Sequence, residues 1–73
     1  MTLFEYLDGK SLLTTSGFKF TIYDVDCITS TISYAYSDGD QYRVSFSEFL
    51  KYHISSIQRS FPELTSLYPE YFI

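Results

Sequence analysis

Ile32-Ser33-Tyr34-Ala35-Tyr36, then Ser37-Asp38-Gly39-Asp40-Gln41, then Tyr42-Arg43-Val44-Ser45-Phe46: this stretch reads as a hairpin that anchors the fold. Two alternating runs flank Asp38-Gly39. Asp-Gly favours a tight hairpin turn, because both residues tolerate positive φ. Alternation places Ile32, Tyr34, Tyr36, Tyr42, Val44 and Phe46 on one face. The result is a hairpin with one aromatic, inward side and one small, polar side.

The hairpin extends in both directions. Upstream, Phe18-Lys19-Phe20-Thr21-Ile22-Tyr23 also alternates, with Phe18, Phe20 and Ile22 expected inward. Ser16-Gly17 reads as a turn after a β-prone run from Lys10 to Thr15, and Asp24-Val25-Asp26-Cys27 reads as a connector. Thr2 and Glu5 have capping-box spacing and Gly9 follows Asp8, which predicts a short helix over residues 3–8. Downstream, Ser45 and Glu48 form a second box. Phe46, Phe49, Leu50, His53, Ile54, Ile57 and Phe61 then recur at helical spacing, predicting the main helix over residues 47–60. Ser60-Phe61-Pro62-Glu63 predicts a short helix over 62–68. Helix, strands, helices in that order implies an α+β domain covering residues 1–73. An antiparallel meander packs on the C-terminal amphipathic helix, with an SH3-like barrel as its closed version.

With 73 residues, the core is small, and no disulfide is available because Cys27 is the single cysteine. Seven Phe and eight Tyr supply most of the large side chains, and aromatic burial is the expected compensation. A homodimer is a second one. The N-terminal Met1-Thr2-Leu3-Phe4-Glu5 lacks the basic start and long apolar run of a signal peptide, and no stretch reads as a membrane span. The lone Cys27 suits a reducing compartment. The expected location is the cytoplasm, that of the host cell if the chain is phage-encoded.

Candidate chemistry is sparse. Asp24 with Asp26, and Asp38 with Asp40, have the spacing of shared cation ligands, but the strand beginning at Ile32 separates the pairs, and neither opens an EF-hand loop. Turn carboxylates in solvent are the simpler reading. His53 is the only histidine, lies on the apolar helix face and lacks a nucleophile, so a half-buried ring with one hydrogen-bond partner is expected. Cys27 follows two aspartates, which disfavour its thiolate. With three glycines the chain has no phosphate-cradling loop. A non-enzymatic protein without metal or cofactor is expected.

The net charge of −4 argues against broad binding to phosphate backbones and favours a basic partner. In size, charge and lack of catalytic groups the chain is similar to small inhibitors carried by phages and mobile elements, including anti-CRISPR-type proteins and nuclease immunity proteins. That resemblance implies a protein that blocks a basic, nucleic-acid-handling target. The candidate contacts are Asp24, Asp26, Asp38, Asp40 and Glu48, together with Tyr23 on the outward sheet face and the apolar end at Tyr71 and Phe72. The alternative is a small barrel that binds nucleic acid through Lys19 and Arg43, with Tyr23 stacking on a base.

Overall fold

A computed structural model describes Thr2 to Phe72. Helix α1 (Leu3–Leu7) is followed by strands β1 (Ser11–Leu13), β2 (Lys19–Asp26), β3 (Thr31–Tyr36) and β4 (Gln41–Ser45). Helices α2 (Phe46–Ser60) and α3 (Leu64–Leu67) and a 3-10 turn at Pro69–Tyr71 complete the chain. The four strands form one antiparallel sheet in the order β1-β2-β3-β4. The α+β meander is therefore as expected. The sheet is open, with β1 and β4 as its two edges, so the SH3-like barrel is corrected to an open meander.

Both outer hairpins close in the same way. Thr14 N–H donates to Phe18 C=O at 2.8 Å and Gly17 N–H donates to Thr14 C=O at 2.9 Å. In the second hairpin Tyr36 N–H donates to Asp40 C=O at 2.8 Å and Gly39 N–H to Tyr36 C=O at 3.0 Å. Each is a three-residue loop ending in a glycine with positive φ, +89° at Gly17 and +101° at Gly39. Asp38 itself has no positive φ, so the expected two-residue turn is replaced by this longer one. Its Oδ1 instead accepts from Asp40 N–H at 3.0 Å.

The inner face of the sheet carries Leu12, Phe20, Ile22, Ile32 and Tyr34, all buried. Helix α1 adds Leu3, Phe4 and Leu7, α2 adds Phe49 and Ile57, and α3 adds Leu64, so one cluster draws on every layer. Phe20, Tyr34 and Phe49 are its aromatic centre, with ring centroids 5.2 Å apart for Phe20–Tyr34 and 5.5 Å for Tyr34–Phe49. Phe18 departs from expectation. It closes the first loop instead of lying within β2, and it is 65 % exposed. Ser33, expected outward in solvent, is buried; it lies in register between Asp24 and Arg43 on the neighbouring strands.

The buried face of α2 is Phe49, His53, Ser56 and Ile57, rotated from the expected stripe so that Ile54 is only half-buried. Ser45 caps this helix, its Oγ accepting from Glu48 N–H at 3.2 Å. At α1 the full capping box forms between Thr2 and Glu5. No such bond forms at α3: Ser60 lies inside α2, and the Glu63 carboxylate accepts from the Tyr6 hydroxyl at 3.3 Å. The chain end docks on its own core. Tyr71 meets the Phe4 ring edge-on at 5.6 Å, Phe4 stacks on Phe46 at 3.9 Å, and Phe72 is half-buried against the cluster. Ile73, apolar like its neighbours, lies outside the described residues.

Candidate functional site: two acidic clefts at opposite ends of the sheet

The expected connector at Asp24–Cys27 is mostly strand. Ile22 pairs with Tyr34 and Asp24 pairs with Ser33, so Tyr23 is an extra residue that bulges β2. The bulge reverses the strand's parity. Without it, Asp24 and Asp26 would point the same way as Ile22, into the core. With it, Val25 turns inward opposite buried Ile32, and Asp24 and Asp26 turn outward opposite Ser33 and Thr31. One inserted residue thus places two carboxylates at the surface and keeps the core apolar.

Strand β1 is too short to cover this part of β2, since its register runs only from Ser11–Thr21 to Leu13–Lys19. A groove of about 530 Å³ lies there. Glu5 and Asp8 from α1 and its C-cap join Asp24 and Asp26 in its lining, alongside Cys27 and Ile28. The turn at 27–30 is held rigid by Asp26, whose Oδ1 accepts from Ile28 N–H at 2.9 Å and Thr29 N–H at 3.3 Å. The Thr29 backbone bond, then the Ile28 one, is the main reason the Asp26 carboxyl titrates below its ordinary range; Arg43 adds to it. On this fixed turn Ile28 stands 96 % exposed. Among the described residues the ion pair recorded is Arg43–Asp26 at 3.7 Å, leaving Glu5, Asp8 and Asp24 without a cationic partner within 4 Å.

Asp38 and Asp40 lie at the other end of the sheet, beyond Tyr36. They line a second cleft of about 380 Å³ between the two hairpin loops, walled by Phe18, Tyr36 and Tyr42. All four aspartates singled out in the sequence therefore line concave surface, in two separate places. Among the described residues no group of three or more His, Cys, Asp or Glu side chains converges on a metal-sized site.

The other candidates are more dispersed. Glu48 is exposed in the first turn of α2, away from both clefts. Tyr23 is exposed on the bulge beside Asp24. Tyr71 and Phe72 are largely spent on the core. Lys19 and Arg43, expected to share a phosphate-binding face, start β2 and sit mid-β4, respectively. Arg43 is turned toward Asp26, and its Nε donates to Thr31 Oγ1 at 3.3 Å.

His53 is a core residue. Its Nε2 lies 3.2 Å from the Tyr34 hydroxyl, and its ring packs at 4.8 Å from Phe20 and 4.9 Å from Phe49. Burial lowers its pKa, which keeps the imidazole neutral at pH 7. Cys27 is exposed and free. Glu5, Asp8 and Ile28 are groove residues that sequence reading did not single out. For the two carboxylates the reason is the distance between α1 and β2 in the sequence. Their only signal was local, a cap and a helix end, and nothing local says that this end meets β2.

No helix among the described residues is long and apolar enough to cross a membrane. No protein-family model, curated protein or solved structure matches the chain.

Proposed function

We propose that this protein is a non-enzymatic, acidic interaction module. It binds and blocks a basic surface on another protein, of the kind that otherwise holds nucleic-acid phosphates. The observation that carries this reading is the first groove. Four of the nine carboxylates line it, and among the described residues only Asp26 has a cation within 4 Å. Like charges gathered without counter-charge oppose folding, whereas a basic partner turns them into steering and contact groups. Exposed Ile28, on a turn braced by Asp26, adds an apolar anchor at the rim, and such anchors supply affinity that charge alone does not.

The nucleic-acid alternative is weaker on the same geometry. Arg43 is engaged by Asp26, Lys19 lies far along the sheet from it, and Asp24 and Asp26 share their face. Phosphate binding requires clustered, uncompensated cations.

The test is affinity capture from cell extract with the immobilised wild-type chain and the Asp8→Lys/Asp24→Lys variant. Ionic strength is set at about 0.05 M and about 0.5 M to bracket the range over which surface charges are screened. The expected result is a protein retained by the wild type at low salt, lost at high salt and lost in the variant. Retention of nucleic acid in place of protein, or capture unaffected by the charge reversal, would overturn the proposal.

A further inference from the structure

The second cleft differs in chemistry from the first. Phe18 is 65 % exposed and Tyr42 is 45 % exposed, an arrangement that costs apolar hydration and that the core does not require. Tyr36 completes the aromatic wall, its ring edge-on to Tyr42 at 5.7 Å. Asp38 and Asp40 stand beside these rings on a loop fixed by the Asp38 Oδ1 bond to Asp40 N–H. Aromatic faces and carboxylates share one preference, since both attract a cation.

The chain meets that preference elsewhere with its own lysines. Lys10 Nζ lies 5.1 Å from the Tyr6 ring centre and Lys51 Nζ 5.8 Å from that of Tyr52. Among the described residues no cation of this chain is recorded against Phe18, Tyr36 or Tyr42, or within 4 Å of Asp38 or Asp40. The cleft is thus complementary to a cation that the described residues do not supply.

We propose that this cleft receives an arginine side chain of the partner protein. The guanidinium is planar, so it stacks on an exposed ring while its N–H fork meets a carboxylate; a lysine ammonium has the charge without the plane. An open cleft with rings on its walls and carboxylates on its loop fits the first geometry better. The inference rests on the reading of the protein as a binder of basic proteins and adds a second, specific contact to it.

The experiment is a titration of the isotope-labelled protein with N-acetyl-arginine amide, followed by backbone amide NMR, with N-acetyl-lysine amide as comparison. Saturable shifts are expected at Phe18, Gly39, Asp40 and Tyr42, with arginine preferred several-fold. Asp38→Asn/Asp40→Asn and Tyr42→Leu should each weaken the response by about tenfold, the scale of one lost charge-assisted contact. Glu70→Gln, outside both clefts, should leave it unchanged. The four altered residues are exposed, and circular dichroism verifies that each variant folds. Absence of shifts at the cleft, or equal response to lysine and arginine, would overturn the assignment. Such a failure, with partner capture through Asp8 and Asp24 intact, would remove this cleft and leave the first groove standing.

Discussion

His53 shows how a single buried residue links this fold to pH. Its ring lies among Phe20, Tyr34 and Phe49, and burial lowers its native pKa below the ordinary value of 6.5. The unfolded chain therefore takes up a proton at higher pH than the native one. The contribution of His53 is complete above about pH 6.5 and declines as the pH falls through that value toward the native pKa. A thermal midpoint that drops between pH 7 and pH 5, and a flatter profile in His53→Gln, is the expected outcome. Asp26 adds a second decline at lower pH. Its native carboxyl titrates below the ordinary 3.8, so its contribution is present above that value and is lost on further acidification. Helix α2 shows the same dependence on single side chains. Ile57 is fully buried and Ile54 is not part of the core cluster. Ile57→Ala should cost about 2–5 kcal/mol, as core truncations do, and Ile54→Ala clearly less, both read from denaturant midpoints.

At the scale of elements, the two hairpins rest on Gly17 and Gly39. Any residue with a Cβ at those positive φ values is strained, although nothing crowds the site. Gly39→Ala should destabilise by about 1–2 kcal/mol, measured by chemical unfolding. The C-terminal turn is also structural. Removing residues 69–73 should lower stability by about 1–3 kcal/mol, since Tyr71 and Phe72 each give up part of a buried side chain's worth. Much of this architecture was legible in the sequence because it follows from local rules: alternation around Asp38-Gly39, capping at Thr2 and Ser45, and helical spacing after Phe46. Phe18 was misread because alternation does not mark where a strand begins. The open sheet was not separable from a barrel, because closure depends on whether β1 meets β4 and not on either strand alone. The bulge at Tyr23 was invisible for a similar reason. It exists only as a mismatch with β3, and without it the outward aim of Asp24 and Asp26 cannot be inferred.

Across the whole molecule, the charge pattern is divided. One end of the sheet presents Glu5, Asp8, Asp24 and Asp26 around the exposed Ile28, and the other presents Asp38 and Asp40 among aromatic rings. The aspartates were legible as acidic pairs, but Glu5 and Asp8 joined the groove only through the packing of α1 on β2. The first of these ends is the proposed contact surface for a basic partner. Hydrogen exchange on the captured complex tests it most directly. Slowed amide exchange is expected on binding at residues 5–8 and 24–28, and it should be lost when Asp8 and Asp24 are both changed to lysine. Protection confined to the outer face of α2, with residues 24–28 exchanging as in the free protein, would contradict it.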